Sequence, residues 1–188
     1  MTAPTTRTLG KDDWMTPSIL FDQVHDIVHF DLDACASDRA ASRLDTFIDP
    51  GADALAVRWA RRGKRVWVNP PYGRDIKDWF AKAGQACESG CETVCLLAYA
   101  NTDTTYWQRW VAKNPRCLLV VFLSPRVHFV RPDGEKATGA PKGSALIFFT
   151  PVDRPGAHPK HAYWNYKTED LQHVLNATFP NVTIGATT

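Results

Sequence analysis

Short, almost wholly apolar segments of strand length recur along the chain and alternate with amphipathic segments of helical period. The apolar segments include Thr93–Tyr99, residues 117–123 and residues 144–150, and the amphipathic ones include Ser18–Val28 and residues 75–87. A strand that is apolar at consecutive positions must be covered on both faces, which is typical of parallel sheets packed between helices. The pattern therefore predicts an α/β fold with a mostly parallel sheet and helices on both faces.

Other helices are predicted from caps and shorter periodic runs. Thr16 and Pro17 indicate a helix start, with the hydroxyl at the cap position and the proline at the first helical position. Short helices are expected at residues 53–62 and 104–113, and a last one at residues 168–179.

Length and composition allow one domain of ordinary size. The 188 residues, of which 44% are hydrophobic and 22% charged, suffice for a single hydrophobic core. We therefore expect a flexible arm at residues 1–13 and one domain at residues 14–188. No apolar run approaches the ~18 residues of a membrane span, and no signal-peptide pattern is present. These features predict a cytoplasmic protein without a membrane partner.

The five cysteines are an odd number without a Cys-x-x-Cys pair, which predicts reduced thiols in place of disulfides. Cys87, Cys91 and Cys95 would align on one helix, but Ser89 and Gly90 interrupt that helix. Zinc sites usually bring close Cys or His pairs from turns, so this spacing favours structural thiols. We expect no metal site.

An Asn-Pro-Pro-Tyr sequence, Asn69 to Tyr72, directly follows the expected strand Arg65–Val68. Pro70 and Pro71 remove two N–H donors and fix two φ angles, and Pro70 also keeps Asn69 extended. The result is a rigid elbow at the carboxyl end of a strand, where ligands bind in open α/β sheets. The elbow offers two acceptors, the Asn69 side-chain oxygen and the Pro70 carbonyl, beside the Tyr72 ring. This combination suits the planar amino group of a nucleobase, and it indicates methylation of that amine.

A second turn of interest closes the first expected strand, with the sequence Asp-Leu-Asp-Ala-Cys-Ala at residues 31–36. Small residues at such a turn let a nucleoside-like ligand approach the backbone, and an acidic residue can hold an ammonium or ribose hydroxyls. The glycine that is usual at such a turn is absent, and Ser37 stands where it would help.

Together these residues resemble the amino-methyltransferases that use S-adenosylmethionine, and specifically the phage-type DNA adenine methyltransferase (Dam) family. The resemblance runs from Asp-Trp-Met-Thr-Pro at residues 13–17 through residues 30–37 and the elbow to a distal block at residues 123–149. Protein-glutamine and RNA methyltransferases share the elbow, whereas the Trp-x-Thr-Pro opening and the Arg-x-x-Phe and Ser-x-Leu block point to this family. The resemblance implies a Rossmann-like methyltransferase sheet, S-adenosylmethionine as cofactor, DNA as partner, and phage or prophage origin.

The resemblance also assigns residues. The whole elbow, Asn69, Pro70, Pro71 and Tyr72, would be catalytic, with a flipped adenine stacked on Tyr72 and held by its amine. Thr16 and Pro17 would lie against the methionine end of the cofactor and Asp33 at its amino group, while Asp49 or Asp53 would hold the adenosine part. The expected cofactor contacts are Trp14, Thr16, Pro17, Asp33, Ala34, Cys35, Asp49 and Asp53.

Basic residues are expected to contact DNA phosphates. A basic run at residues 58–65 attracts phosphates locally despite the net charge of +2, although a solvated helix face is its structural alternative. Residues 131–143 are rich in glycine, proline and charge, and we expect them to form a mobile functional loop. The expected DNA contacts are Arg74, Arg126, Arg131, Lys136 and Lys142.

Three other interpretations stay open. A cytosine-amino DNA methyltransferase would use the same elbow, and product analysis separates the two. A protein-glutamine methyltransferase shares the elbow but resembles a longer chain with a glycine-bearing cofactor loop. A non-catalytic module that binds DNA or cofactor, with a packed Pro-Pro turn, is the last alternative, and a methyl-transfer assay would decide it. The residues predict neither the recognition sequence nor the oligomeric state.

Overall fold

A computed structural model describes residues 14–36, 42–49, 51–130, 140–180 and 184. The expected arm at residues 1–13 lies outside this part. None of the helices in the described ranges is long and apolar enough to cross a membrane. In chain order the elements are α1 Ser18–Val28, β1 Leu32–Asp33, β2 Arg65–Val68, α2 Ile76–Glu88, β3 Thr93–Tyr99, α3 Thr105–Trp107, β4 Cys117–Ser124, β5 Ser144–Phe149, β6 Lys160–Asn165 and α4 Leu171–Thr178.

The strands form one sheet in the order β1-β2-β3-β5-β4-β6. Strands β1, β2 and β3 pair in parallel, as do β4 and β6, whereas β5 runs antiparallel between β3 and β4. A parallel bridge from Asp33 to Phe47 extends the sheet beyond β1. The carboxyl ends of β1, β2 and β3 therefore lie at one edge, where residues 31–36 and the elbow both emerge.

Helices cover both faces of the sheet. Leu20 of α1 and Leu171 of α4 pack against one face, and Phe80 of α2 packs against the other. Because both faces are covered, β5 is buried at every position and β3 at all positions except its last, Tyr99. The expected α/β class, with a mostly parallel sheet and helices on both faces, is confirmed.

The prediction of a helix at residues 53–62 is wrong, and this segment forms turns. The Asp53 carboxylate accepts hydrogen bonds from the backbone N–H groups of Leu55 at 3.0 Å and Ala56 at 3.4 Å. These bonds cap the turn that follows Asp53, but Arg58 is extended, with φ −79° and ψ 99°, and this conformation interrupts the helix. Turns therefore replace the helix, and only Trp59–Arg61 forms a 3₁₀ turn.

Other helix boundaries also differ. Helix α1 begins at Ser18 with Pro17 at the cap position and no side-chain cap, so the expected capping role of Thr16 is wrong. The helix expected at residues 104–113 is present but divides into α3 and a π-helical turn, Gln108–Ala112. The last helix, α4, is shorter than expected at both ends.

Strand β6 was not among the expected elements. It pairs with β4 through six residue pairs and lies at the end of the described sheet. Ala162 and Trp164 are buried, whereas His161 and Tyr163 are exposed. This alternation is typical of a strand covered on one face only, and it is much less conspicuous than a continuous apolar run.

Candidate active site

Asn69 directly follows β2, and its side chain is held by the segment before α1. Asn69 Nδ2 donates a hydrogen bond to the backbone carbonyl of Trp14 at 2.9 Å. A carbonyl only accepts, so this contact determines which end of the amide is the nitrogen. The other end, Oδ1, is buried and has no hydrogen-bond partner among the described residues. Leaving a buried acceptor unpaired costs ~1–3 kcal/mol, so this oxygen is suited to an N–H group of a ligand.

A cavity of about 690 Å³, the larger of two considered below, lies at the carboxyl ends of β1 and β2. Its size falls within the ~300–1,000 Å³ of ligand sites. Pro17, Pro70 and Tyr72 are not among the residues that line it. It does bring together most of the expected site residues: Trp14, Thr16, Asp33, Ala34, Cys35, Asp49, Asp53, Asn69, Pro71 and Arg74.

Asp33 ends β1 and is the most deeply buried acid on this cavity wall, with 8% of the residue exposed. Its Oδ1 accepts a hydrogen bond from the backbone N–H of Cys35 at 3.0 Å. Burial nevertheless raises the pKa of Asp33 to about 6. A nearby positive charge would favour the ionised form, so this position suits a cationic group of a ligand.

Thr16 adds a second unpaired polar atom to the wall. Its Oγ1 is buried and has no hydrogen-bond partner in the described structure. The neighbouring Met15 exchanges two backbone hydrogen bonds with Val130, at 2.7 and 3.0 Å, which anchor this segment to the chain after β4. Thr16 and Asn69 both line the larger cavity, so each brings a buried polar atom close to a ligand there.

A smaller cavity of about 160 Å³ adjoins the elbow at Tyr72. The centroid of the Tyr72 ring is 4.3 Å from that of Tyr99, and the Tyr72 hydroxyl donates to the Leu97 carbonyl at 3.3 Å. Burial raises the pKa of Tyr72 well above its usual value, so the phenol stays neutral. Gly73 lines both cavities, which places the elbow between them. The lining consists of Tyr72, Gly73, Ile76, Tyr99, Asn101 and Tyr106.

The residues expected to contact DNA are only partly described. Arg74 is exposed beside the elbow. Arg126 Nη1 donates to the Pro141 carbonyl at 2.9 Å, and Lys142 Nζ donates to Asn101 Oδ1 at 3.1 Å. Arg131 and Lys136 lie outside the described residues.

The basic run at residues 58–65 is partly engaged in contacts with the fold. Arg58 Nη2 donates to the Ser89 carbonyl at 3.1 Å, and Lys64 Nζ donates to the Gly90 carbonyl at 3.1 Å. These contacts favour a structural contribution of the run, which remains exposed at Arg61 and Arg62.

Some lining residues were missed by the sequence analysis. Tyr99 ends β3 at the same edge as Asn69, so the rule that ligands bind at carboxyl ends of strands would have found it. Arg43 lines the larger cavity from a segment without periodicity, and no sequence signal marks it. Asn101 and Tyr106 line the smaller cavity beyond the end of β3.

The cysteines are free, and none carries an activated thiol. Burial raises the pKa of Cys35, which lines the larger cavity, well above its usual value. The pKa of Cys91 is raised to about 11, also mainly by burial. Among the described residues, no three His, Cys, Asp or Glu side chains are grouped to hold a metal ion.

Residues 3–171 match the family described as DNA N-6-adenine-methyltransferase (Dam). The chain belongs to this family. No curated protein matches the chain. As a member of the Dam family, the protein is an adenine-specific DNA methyltransferase that uses S-adenosylmethionine. The expected family, activity and cofactor are thereby confirmed.

Solved structures match the Dam-family chain in fold. One comes from Listeria monocytogenes and is described as a candidate class I S-adenosylmethionine-dependent methyltransferase. The match has a TM-score of 0.54 and 13% sequence identity, and it covers 90% of this chain and 71% of the other. At this identity the likeness concerns the fold alone, and it agrees with the expected methyltransferase sheet.

The larger cavity fits S-adenosylmethionine chemically. The cofactor carries an ammonium and a sulfonium, and the buried Asp33 carboxyl offers a counter-charge. Its hydroxyl and amino groups match the unpaired Thr16 Oγ1 and the carboxylates of Asp49 and Asp53 in the same lining.

Proposed function

We propose that the elbow of this Dam-family enzyme presents the N6 amine of a flipped adenine to a cofactor in the larger cavity. The observation that carries this proposal is the orientation of Asn69. Its amide nitrogen donates to the Trp14 carbonyl, and its oxygen is a buried acceptor that has no partner in the part of the chain that the structure describes. An amine with two N–H bonds supplies the donor that this oxygen lacks.

The residues that would hold the cofactor line the larger cavity. Asp33 would accept a hydrogen bond from the ammonium, Thr16 would contact the methionine end, and Asp49 or Asp53 would bind the ribose hydroxyls. Trp14, Ala34 and Cys35 would shape the wall around them, and Pro17, which lies outside the lining, would fix the backbone after Thr16. When bound, S-adenosylmethionine supplies an electrophilic methyl group on its sulfonium.

The elbow would act on the amine through positioning and electrostatics. The Asn69 oxygen and the Pro70 carbonyl accept the two N–H bonds, which draws the nitrogen lone pair out of conjugation with the ring and aims it at the methyl carbon. The same acceptors stabilise the positive charge that forms on nitrogen as the nitrogen–carbon bond forms and the carbon–sulfur bond breaks. The leaving group is S-adenosylhomocysteine, and the extra proton on nitrogen would then pass to water. Pro70 and Pro71 fix the backbone, so the acceptors need not reorganise during the reaction.

Adenine in a duplex does not expose its amine to such a cavity, so the base must leave the stack. The smaller cavity, with Tyr72 on its wall, would receive the flipped base, since an aromatic face compensates for lost base stacking. Tyr72 stays neutral because its pKa is raised by burial, so it serves as a stacking surface and not as a base. Cys35 has a raised pKa, and no covalent nucleophile is needed.

Basic side chains would position the DNA backbone over this edge of the sheet. Arg74 beside the elbow, Arg126, Lys142 and the residues Arg131 and Lys136 are the proposed phosphate contacts. Since its substrate is DNA, we place the enzyme in the cytoplasm of a bacterial cell, which would be the host if a phage encodes it.

The test is methyl transfer from tritiated S-adenosylmethionine to DNA, followed by mass analysis of the nucleosides. We expect N6-methyldeoxyadenosine as the product in the wild type. We expect no product from Asn69→Ala and normal activity from Asn176→Ala, which changes an exposed asparagine of α4. Methylcytidine as the product, or full activity of Asn69→Ala, would contradict the proposed arrangement.

A further inference from the structure

Arg43 lines the larger cavity, and the roles proposed above leave it unassigned. Its Nη2 donates a hydrogen bond to the Thr16 carbonyl at 3.2 Å, and its guanidinium carbon lies 5.8 Å from the centroid of the Phe21 ring. Thr16 and Phe21 line the same cavity. These contacts hold the guanidinium at the part of the wall proposed for the methionine end of the cofactor.

The charge of Arg43 is not matched by a close carboxylate among the described residues. Its ion-pair partner is Asp22, at 4.0 Å from Nη1, and 61% of the Asp22 side chain is exposed. An exposed pair at this distance contributes little free energy. Among the described residues, the guanidinium donates one hydrogen bond, to the Thr16 carbonyl, out of its five N–H donors.

Arg43 and Asp33 contribute opposite charges to neighbouring parts of this wall. Arg43 lies three residues before Thr46, whose carbonyl accepts a hydrogen bond from the backbone N–H of Asp33 at 3.0 Å. Within the described residues the two charges form no ion pair with each other, so neither neutralises the other. This part of the cavity wall thus offers a ligand the Asp33 carboxyl and the Arg43 guanidinium as separate partners.

We propose that Arg43 binds the α-carboxylate of S-adenosylmethionine while Asp33 binds its α-ammonium. This inference rests on the proposed position of the cofactor in the larger cavity. The amino-acid end of the cofactor is a zwitterion, so its two charges need two opposite partners close together. A guanidinium fork matches a carboxylate in bidentate geometry, which a lysine ammonium does not.

Arg74 is the competing candidate, because it is the other cation among the described lining residues. It follows the elbow and is proposed to contact DNA. In the described part of the chain, Arg74 makes neither a hydrogen bond to Thr16 nor a ring contact with Phe21. The experiment therefore includes an Arg74 variant.

The test compares two ligands that differ only in the carboxylate. Calorimetry without DNA measures the affinity of the full-length protein for S-adenosylmethionine and for decarboxylated S-adenosylmethionine. We expect the wild type to prefer S-adenosylmethionine by about 10- to 100-fold, the range of one charged hydrogen-bonded contact. Arg43→Ala should lose this preference and leave the affinity for the decarboxylated ligand unchanged, with Arg43→Lys in between.

Matched variants test whether Arg43, and no other residue, causes the preference for S-adenosylmethionine over the decarboxylated ligand. Arg58→Ala, which changes an exposed arginine bonded to the Ser89 carbonyl, should keep the full preference, and so should Arg74→Ala. Asp33→Asn should lower the affinity for both ligands, because both retain the ammonium. Thermal unfolding without ligand shows whether each variant is folded.

Three results would overturn the inference. The first is a wild type that binds S-adenosylmethionine and its decarboxylated form with equal affinity. The second is an Arg43→Ala variant that loses affinity equally for both ligands. The third is an Arg74→Ala variant that loses the preference for S-adenosylmethionine. If the wild type binds neither ligand, the proposed position of the cofactor fails first, and that outcome is distinct from the other three.

Discussion

The Trp14 carbonyl accepts a hydrogen bond from Asn69 Nδ2 at 2.9 Å, although the two residues are 55 positions apart in the sequence. Because Met15 pairs with Val130 through two backbone hydrogen bonds, the segment that orients Asn69 is itself anchored after β4. Three distant parts of the chain thus position one amide. Preorganisation of this kind makes an acceptor effective, since it does not have to turn when the base arrives.

Asn69→Ala tests the role of this amide. We expect the rate of methyl transfer to fall about 100-fold or more, because one hydrogen bond to the developing charge is lost. The affinity for S-adenosylmethionine should change little, since Asn69 is assigned to the target amine. Single-turnover transfer and calorimetry measure the two quantities. A large loss of cofactor affinity with an unchanged rate would move Asn69 to the cofactor site.

Asp33 predicts a pH dependence of cofactor binding. The ammonium binds the ionised carboxylate, and the pKa of Asp33 without ligand is about 6. Affinity for S-adenosylhomocysteine should therefore be constant above pH 7 and fall by up to about tenfold per pH unit below pH 6. Asp33→Asn should bind more weakly and lose this dependence. A wild-type affinity that does not change between pH 7 and pH 5 would contradict the assignment.

The same raised pKa predicts the effect of Asp33→Asn on stability. The folded protein holds the Asp33 proton more tightly than the unfolded chain, whose pKa is near 3.8. The contribution to stability is thus present below pH 4 and is lost as the pH rises through about 6. At pH 7.5 without ligand, Asp33→Asn should raise the free energy of unfolding by at most about 3 kcal/mol. Denaturant unfolding at pH 4 and pH 7.5 measures it, and the gain should vanish at pH 4.

Tyr72 is expected to act through its ring. Stacking of a base on an aromatic side chain contributes ~1–3 kcal/mol, so Tyr72→Ala should lower kcat/KM for DNA by about 5- to 150-fold. Tyr72→Phe should stay close to the wild type, because the hydroxyl makes one long bond to the Leu97 carbonyl at 3.3 Å. Steady-state kinetics with duplex DNA separates the variants. Equal loss in both would show that the hydroxyl is needed.

Gly63 is expected to be intolerant of a side chain. A Cβ there would lie 2.5 Å from Asp31 Oδ1 and 2.6 Å from Leu32 Cβ. Asp31 Oδ1 cannot move freely, since it accepts the N–H groups of Lys64 and Arg65, each at 2.8 Å. Gly63→Ala should therefore cost ~1–3 kcal/mol and lower Tm by about 2–4 °C per kcal/mol. Gly143→Ala, with open space around it, is the control and should unfold like the wild type.

The central strands and the elbow could be predicted because they depend on local sequence. Strands β3 and β5 are covered on both faces, so nearly every position is apolar and the run is visible without knowing its partners. The rigid elbow at Asn69 to Tyr72 could be predicted because Pro70 and Pro71 fix two φ angles whatever the rest of the fold is. Asn69 and Asp33 both line the larger cavity because parallel strands bring their carboxyl ends to one edge.

The rest depends on contacts that no local pattern encodes. The helix expected at residues 53–62 is interrupted at Arg58, which is extended with φ −79° and ψ 99°, and no local sequence pattern marks that residue as a break. Arg43 reaches the cavity from a segment without periodicity, and its place follows from packing on Thr16 and Phe21. The sequence pattern predicts Thr16 at the cap position of α1, but Pro17 occupies that position. Which of the two residues precedes the first helical turn is not visible in the sequence.

Arg131 and Lys136 are expected to strengthen DNA binding through phosphates. Each phosphate contact releases counterions, so removing two contacts should flatten the slope of log affinity against log salt by about 2. The double variant Arg131→Ala, Lys136→Ala should show this change, with cofactor affinity as in the wild type. Lys142→Ala makes a useful comparison, because Lys142 is already bonded to Asn101 at 3.1 Å and should change the slope by about 1 at most. Fluorescence anisotropy with a labelled duplex at several salt concentrations measures the slope. An unchanged slope together with weaker cofactor binding would instead assign these residues to the cofactor.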